Sequence, residues 1–257
     1  MSKHLPIAYQ LYSAREEMAS NMEGTLAQLA HMGYQGVEFA GFYGRSAKDI
    51  SKLMKKTGLT PMGSHISLEQ IRENMHDVLD YHLELGCPYI AVPSLEEEAR
   101  PGMSGFSQAL HTLYLFGKLC KKHGISLLYH HHDFELVPFS GQLGLDFIMT
   151  AIPSALLQAE LDCCWLKYAG LEPAEVIRKY ARRCPLIHLH DFVQMGDKVT
   201  PILFKPVGYG CQNVAEILSA ASESHVKWLV VEQDDSTERP ALEDAKLSLD
   251  YLLGLRP

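Results

Sequence analysis

Short apolar segments and longer amphipathic segments alternate eight times along this chain, and that repeat restricts the possible folds more than any other feature. The apolar segments are mostly rich in β-branched or aromatic residues, which is typical of strands buried on both faces. Strands are predicted over residues 7–11, 36–40, 60–65, 89–92, 125–130, 156–161, 186–190 and 228–231. Helices are predicted over residues 22–32, 47–56, 68–85, 105–123, 143–151, 173–181, 213–224 and 242–253.

Eight β–α repeats in 257 residues match the length and order of a (β/α)8 barrel. A doubly wound sheet would usually carry a glycine-rich fingerprint after its first strand, and residues 12–15 contain no GxGxxG motif. No linker-like or low-complexity run interrupts the repeat. We therefore predict an α/β protein with a single (β/α)8 TIM barrel domain over residues 1–257. Helix-ending left-handed caps are predicted at Gly33, Gly58, Gly86 and Gly124, and a helix N-cap at Asn213.

Charge and hydropathy exclude several classes of partner. The chain has 23 Lys and Arg against 31 Asp and Glu, a net charge of −8, so a polyanion such as DNA is not an expected partner. No apolar stretch is long enough for a membrane span, and the N-terminal residues do not resemble a signal peptide, which predicts a cytoplasmic protein without membrane contact. The six cysteines show no CxxC pairing and are expected to be reduced thiols.

Four acidic or imidazole side chains stand at or just beyond the ends of four successive predicted strands: Glu135, Asp162, His190 and Glu232. In a barrel the C-terminal strand ends meet at one mouth, where the active site forms. Three carboxylates and an imidazole gathered there would repel one another unless a cation lay among them. The sequence therefore predicts one divalent metal site. Oxygen-rich ligands with one imidazole suit Mn²⁺, Mg²⁺ or Co²⁺, and Zn²⁺ is an alternative.

Seven short motifs carry a resemblance to a known family. They are residues 7–15 (IAYQLYSAR), 36–39 (GVEF), 129–135 (YHHHDFE), 161–165 (LDCCW), 188–191 (HLHD), 207–210 (VGYG) and 231–234 (VEQD). In this order the chain resembles the xylose isomerase-like TIM barrel superfamily, which includes sugar phosphate isomerases and epimerases, inosose dehydratases and family 2 AP endonucleases. The resemblance implies a metal site at Glu135, Asp162, His190 and Glu232, with Glu135 and Glu232 also transferring protons.

The chain departs from the family pattern in two places. Many isomerases of the family carry a glutamate within strand five, whereas here that strand ends in three histidines and Glu135 follows in the loop. Either Glu135 folds back to the metal, or His130 or His132 takes a ligand or proton-transfer role. The isomerases also usually place a substrate-binding histidine at the position of Trp165, whose indole could instead stack on the ring of a glycoside or cyclic polyol.

Other candidate substrate-binding residues lie at strand ends in the first half of the chain and in the loop over residues 194–210. At the barrel rim they either contact substrate or hydrogen-bond a neighbouring loop. His188 is expected to be either a buried core histidine or part of the site. The remaining candidates are Gln10, Tyr12, Glu38, His65, Lys198 and Lys205.

The favoured function is a divalent-metal-dependent sugar or keto-sugar isomerase/epimerase, in which proton transfer proceeds through an enediolate and the metal acts as a Lewis acid. The alternative is a metal-dependent dehydratase or lyase acting on a keto-cyclitol or keto-glycoside. An abasic-site endonuclease is disfavoured by the acidic charge, and a sugar-binding protein with a vestigial site is disfavoured by the retained metal-ligand candidates. The expected partner is a small sugar or polyol substrate, and association into a homo-oligomer is compatible with this fold.

Overall fold

A closed barrel of eight parallel strands forms the centre of the computed structural model, which describes residues 4–194 and 202–255. The barrel strands are β1 (Ile7–Gln10), β2 (Gly36–Phe39), β3 (Thr60–His65), β4 (Tyr89–Val92), β5 (Ser126–His130), β6 (Gln158–Asp162), β7 (Leu186–Val193) and β8 (Trp228–Glu232). Closure is direct, because β1 pairs in parallel with both β2 and β8. All eight predicted strands are confirmed, and the fold is the predicted (β/α)8 TIM barrel.

Nine α-helices surround the barrel in the part of the chain that the structure describes. They are α1 (Arg15–Met32), α2 (Ala47–Thr57), α3 (Leu68–Leu85), α4 (Phe106–Lys122), α5 (Gly144–Ala151), α6 (Cys163–Tyr168), α7 (Pro173–Lys179), α8 (Val214–Glu223) and α9 (Ala241–Gly254). Helix α1 begins earlier than its predicted start at residue 22, because the backbone breaks at Asn21 (φ −154°) and continues as helix on both sides. The Asn21 side chain then accepts a hydrogen bond from Gly24 N and caps the second segment.

Helix ends follow the predicted local signals. Gly33, Gly58 and Gly86 each adopt a left-handed backbone directly after a helix, where a side chain would be strained. Gly124 also has a left-handed backbone, although His123 is the C-cap of α4. The Asn213 side chain caps α8 by accepting a hydrogen bond from the backbone N–H of Glu216.

Four short elements escaped the pattern analysis. Strands Pro138–Phe139 and Gln142–Leu143 form a small antiparallel hairpin after β5, and Leu203–Lys205 pairs antiparallel with the end of β7. Helix α6 has six residues, too few for an amphipathic repeat to be visible in the sequence. All of these elements lie near the C-terminal ends of the barrel strands.

The interior of the barrel changes character along its axis. Its N-terminal half is filled by a small apolar cluster consisting of Ala8, Met62, Ala91, Leu128, Leu186 and Val230. Towards the C-terminal strand ends the buried side chains become polar and charged, as Glu38, Glu160, Asp162 and His188 illustrate. A larger apolar core between the strands and the helices supports this arrangement from outside. No helix within the described ranges is long and apolar enough to cross a membrane.

Candidate active site

Strand register places the polar side chains of neighbouring strands side by side inside the barrel. Gln10 on β1 is opposite Glu38 on β2, and Asp162 on β6 is opposite His188 on β7. His190 is likewise opposite Glu232. Because residues opposite one another in a sheet share a face, these pairs crowd into one volume at the barrel mouth.

His188 is at the centre of this volume and contacts carboxylates through both ring nitrogens. Its Nδ1 atom hydrogen-bonds Glu232 Oε2, and its Nε2 atom lies 2.9 Å from Glu38 Oε2 and 3.6 Å from Glu160 Oε2. Burial by itself would lower the pKa of His188, but Glu232 and Glu160 raise it well above the ordinary value. The same His188 charge holds the pKa of Glu232 below its usual range, against the effect of burial.

A layer of hydrogen bonds below His188 fixes the deeper carboxylates. Gln10 Nε2 donates to Glu38 Oε2 at 2.9 Å, and His65 Nε2 lies 2.9 Å from Glu160 Oε2. Burial and the neighbouring Glu160 raise the pKa of Glu38 to about 6. Gly63 leaves room for this carboxylate, since a Cβ there would come within 2.7 Å of Glu38 Oε1. Gln10, Glu38 and Glu160 are buried and form the floor of the mouth.

Asp162 is held at the mouth by three contacts. Its Oδ1 atom accepts a hydrogen bond from Trp165 N at the start of α6, and its backbone N–H donates to His131 Nε2. Its Oδ2 atom lies 3.0 Å from His190 Nδ1. Burial opposes protonation of His190, but Asp162 raises the pKa of that imidazole to about 9. Asp162 is therefore both a helix cap and a buried carboxylate facing the site.

Side chains of metal-ligating type gather in four overlapping groups among the residues described, each with its ligand atoms within 4.8 Å of one another. One group, called the four-strand group below, takes one residue from each of β5, β6, β7 and β8: His130, Asp162, His188 and Glu232. The Nδ1 atom of His130 is buried and lies 3.4 Å from Glu160 Oε2 without forming a hydrogen bond in the described structure. Burial lowers the pKa of this imidazole to about 3. A neutral imidazole is the form that binds metal, and His130 is already in that form. His188 would bind metal after releasing the proton that Glu232 and Glu160 hold on it, and two nitrogen and two carboxylate donors would then fit a divalent ion.

The residues expected from sequence to bind metal do not all meet. Asp162 and Glu232 belong to the four-strand group, whereas His190 joins only two three-residue groups, one with Asp162 and Cys164 and one with Glu232 and Asp234. His188, which the sequence left open as a core residue, is the histidine that β7 contributes to the four-strand group. Because both histidines face the same side of β7, the alternation of side chains along a strand does not distinguish between them.

Glu135 lies apart from the four groups of metal-ligating side chains. Its carboxylate accepts hydrogen bonds from the Tyr129 hydroxyl and from His132 N, the latter at 2.9 Å, and it belongs to none of the four groups. Burial raises the pKa of Glu135 to about 7. The loop after β5 thus turns Glu135 back onto its own strand, and His130 is the β5 side chain that reaches the mouth.

A cleft of about 520 Å³ opens above this group. Its polar side includes His65, His130, His132, Glu232 and Asp234. The apolar side of the cleft is formed by side chains just beyond the ends of the first four strands, namely Tyr12, Phe42, Ile66 and Pro93. A cleft of this size and mixed lining is typical of a small-molecule site.

The other expected substrate-binding residues occupy varied positions. Gln10 and Glu38 are buried beneath the cleft, and Trp165 packs against His132 with ring centroids 5.4 Å apart. Lys205 forms an ion pair with Glu238 at 2.6 Å. Lys198 lies outside the described residues.

Sequence reasoning did not single out Asp191, which organises the loop before α8. Its carboxylate accepts hydrogen bonds from the backbone N–H groups of Gly208, Gly210 and Gln212 at 3.0–3.1 Å. Any side chain at Gly210 would collide with Asp191, because a Cβ there would come within 2.2 Å of Asp191 Oδ1. The available signal was the pair of motifs HLHD and VGYG, which the fold brings into contact.

A closed parallel barrel with a buried carboxylate–imidazole group at its C-terminal mouth defines an enzyme of the TIM barrel class. Residues 26–254 match the family described as xylose isomerase-like TIM barrel. The chain belongs to that family.

Similar proteins span nearly the same length. An inosose dehydratase of Geobacillus kaustophilus is 22% identical over 264 residues, covering 88% of this chain and 85% of that protein. An inosose dehydratase of Mesomycoplasma hyopneumoniae is 23% identical over 268 residues, covering 91% and 89%. A sugar phosphate isomerase/epimerase from Parabacteroides distasonis shares the fold with a TM-score of 0.82 at 23% identity, covering 99% of this chain and 95% of that one. A family 2 AP endonuclease from Brucella melitensis shares it with a TM-score of 0.72 at 15% identity, covering 98% and 100%.

Proposed function

We propose that this protein is a divalent-metal-dependent lyase that removes the proton next to the carbonyl of a keto-cyclitol or keto-glycoside and expels the oxygen substituent from the following carbon. The observation that carries the proposal is the meeting of His130, Asp162, His188 and Glu232 beside a cleft whose β5 side presents His132. The curated relatives named inosose dehydratase support the same reaction class.

The hydrogen bonds that Glu135 accepts favour elimination over isomerisation. An isomerase or epimerase working through an enediolate would use two carboxylates, one on strand five and one on strand eight, to remove and return the proton. Here the Glu135 carboxylate accepts hydrogen bonds from the Tyr129 hydroxyl and from His132 N. The β5 side of the cleft therefore presents the imidazoles of His130 and His132 rather than a carboxylate. Elimination needs one base and one acid rather than a pair of interchangeable carboxylates.

Four residues would hold the metal: His130 and His188 through nitrogen, Asp162 and Glu232 through oxygen. When bound, the ion would supply Lewis-acid stabilisation for negative charge developing on the carbonyl oxygen of the substrate. Glu38 accepts a hydrogen bond from His188 Nε2 and so leaves Nδ1 directed towards Glu232 and the mouth.

His132 is the proposed base. It lines the cleft, and burial lowers the pKa of its imidazole, so that it is neutral and able to accept a proton. Its Nδ1 atom has no hydrogen-bond partner within the described part of the chain. Trp165 and Phe134 contact the ring and limit its orientations. The proton removed from the substrate carbon would pass to this imidazole as the carbon–carbon double bond forms.

Asp234 is the proposed acid. It lines the same cleft from the end of β8, and burial raises the pKa of its carboxyl group to about 6. As the carbon–oxygen bond breaks, its electron pair goes to the leaving oxygen, which takes a proton from Asp234. The products are an unsaturated ketone and water or an alcohol. The apolar wall of Tyr12, Phe42 and Ile66 would accommodate the less polar part of the substrate.

A product assay tests this function. Purified protein supplied with Mn²⁺ is incubated with keto-inositols and keto-glycosides, and ultraviolet absorbance of the unsaturated ketone is followed while deuterium incorporation from D₂O is measured by mass spectrometry. Appearance of the enone with release of water or alcohol supports the lyase. Deuterium exchange next to the carbonyl without elimination would instead assign the isomerase/epimerase reaction. Failure of both reactions across the panel would reject the proposal.

A further inference from the structure

A second cavity, also of about 520 Å³, lies at the opposite end of the barrel from the catalytic cleft. Tyr89, Ser126 and Gln158, the first residues of β4, β5 and β6, form part of its lining. The turns that precede β7 and β8 complete it. The N-terminal end of a TIM barrel ordinarily serves stability, so a cavity of this size there requires a separate explanation.

The lining of this cavity carries positive charge in a protein that is acidic overall. Arg182 and Lys227 are cationic, His225 adds an imidazole, and none of the described residues that line the cavity is an aspartate or glutamate. The whole chain, by contrast, has a net charge of −8. A local basic patch on an acidic protein attracts anions to one place and is not a consequence of the overall composition.

The cationic side chains facing this cavity are not committed to other contacts. Across residues 4–194 and 202–255, the structure contains no ion pair and no side-chain hydrogen bond for Arg182, His225 or Lys227. Two acidic residues of the neighbouring helix α8 are already engaged, because Arg178 binds Glu216 at 2.7 Å and Glu223 at 2.8 Å. The basic groups at the cavity are therefore free to bind an external anion.

Backbone conformation at the cavity rim supports a role for these side chains. Arg182 and His225 both adopt a left-handed backbone, with φ of 65° and 64°. Arg182 lies in the turn after α7, whose C-cap is Tyr180, and His225 lies in the turn after α8, whose C-cap is Ser224. The two turns are also joined, because Arg182 N donates to Ser224 O at 3.0 Å. Left-handed backbone at residues other than glycine is uncommon and clusters at functional sites, so these two positions agree with a binding role for the turns.

Neutral hydrogen-bonding groups complete the site. The side chains of Tyr89, Ser126 and Gln158 face the same cavity and have no side-chain hydrogen bond in the described regions. Two cations with several neutral hydrogen-bonding groups form the usual environment of a phosphoryl group. We propose that this cavity binds a small phosphorylated metabolite, at a site separate from the catalytic cleft and independent of the function proposed for it.

Calorimetric titration with inorganic pyrophosphate tests the proposal, with melting temperature as a second readout. We expect one pyrophosphate per chain at the cavity and a rise in melting temperature on binding. Arg182→Gly and Lys227→Gln should each weaken binding by roughly tenfold, because each removes a charge-assisted contact. Without ligand, Arg182→Gly should melt no lower than the wild type, since glycine relieves the left-handed backbone.

Two control variants locate the binding. Lys48→Gln removes an exposed lysine on α2, and His132→Ala alters the catalytic cleft; both should retain the affinity of the wild type. Absence of binding to the wild type, or equal binding by Arg182→Gly and Lys227→Gln, would overturn the proposal. Loss of binding in His132→Ala would also overturn it by placing the anion in the cleft. If the basic residues served only the helix dipoles, their removal would lower stability without changing affinity for pyrophosphate.

Discussion

His188 and Glu38 are 150 residues apart in the sequence, yet His188 Nε2 lies 2.9 Å from Glu38 Oε2 inside the barrel. This contact orients the imidazole so that its other nitrogen faces Glu232 at the mouth. Carboxylates that hold a metal-binding histidine in this way set both its tautomer and its basicity. The deep carboxylate on β2 therefore sets the orientation of the ligand that we propose for β7.

Replacing Glu38 should weaken metal binding without removing a ligand. We expect Glu38→Ala to lower the affinity for Mn²⁺ by about 10- to 100-fold, because His188 loses the partner that orients it. Glu38→Gln keeps an acceptor oxygen and should cause a smaller loss. Titration of the metal-free protein with Mn²⁺, followed by calorimetry, measures both. Unchanged affinity in Glu38→Ala would show that the contact does not act on the metal site.

The two histidines of β7 should differ in their importance for metal binding. His188→Gln and Asp162→Asn are expected to abolish stoichiometric binding, because each removes one of the four proposed donors. His190→Gln should reduce it less, because His190 contacts Asp162 and lies outside the four-strand group. Metal content after dialysis, determined by mass spectrometry, provides the comparison. Loss in His190→Gln with retention in His188→Gln would restore His190 as the ligand.

Substitutions of His132 and Glu135, which follow β5, should differ in their effect on turnover. His132→Gln is expected to lower turnover by about 100-fold or more while metal content stays the same, because the proposed base is lost. Glu135→Gln should leave turnover within a few-fold of the wild type, since Glu135 bonds Tyr129 and His132 N rather than facing the cleft. Steady-state kinetics and metal analysis on both variants make the test. Equal losses in the two would argue that Glu135 takes part in proton transfer.

His82 should make the protein less stable in mild acid. Burial lowers the pKa of His82 from 6.5 to about 4, and its ring contacts Ser64 Oγ and Val78 O. The unfolded chain binds this proton more readily, so stability is present above pH 6.5 and is lost as the pH falls towards 4. The loss amounts to up to about 3 kcal/mol.

The control for this effect is His82→Gln, which keeps hydrogen-bonding capacity without titrating. Urea unfolding of both proteins at several pH values should give a wild-type free energy of unfolding that falls more steeply below pH 6.5 than that of the variant. Parallel curves would mean that the imidazole is not responsible.

Much of the architecture could be predicted because it follows from local patterns. Buried strands and amphipathic helices each have a periodicity, and glycines such as Gly33 and Gly58 mark helix ends. Asp162 and Glu232 were predicted to be site residues for a related reason, because a carboxylate at the end of an apolar strand needs a partner.

What could not be predicted depends on three-dimensional detail. His188 and His190 share one face of β7, and only the depth of each within the barrel separates their partners. Glu135 lies five residues beyond the end of β5, so its position depends on a loop whose course is set by the Tyr129 hydroxyl. Neither the partners of the two β7 histidines nor the position of the Glu135 carboxylate can be deduced from residue periodicity or spacing.

The most direct measurement is a crystal structure of the protein soaked with Mn²⁺, with anomalous scattering used to locate the ion. A single strong peak is predicted within coordinating distance, about 2.0–2.3 Å, of donor atoms from His130, Asp162, His188 and Glu232. A peak held by His190 and Asp234 instead, or no peak in the barrel mouth, would contradict the proposed metal centre.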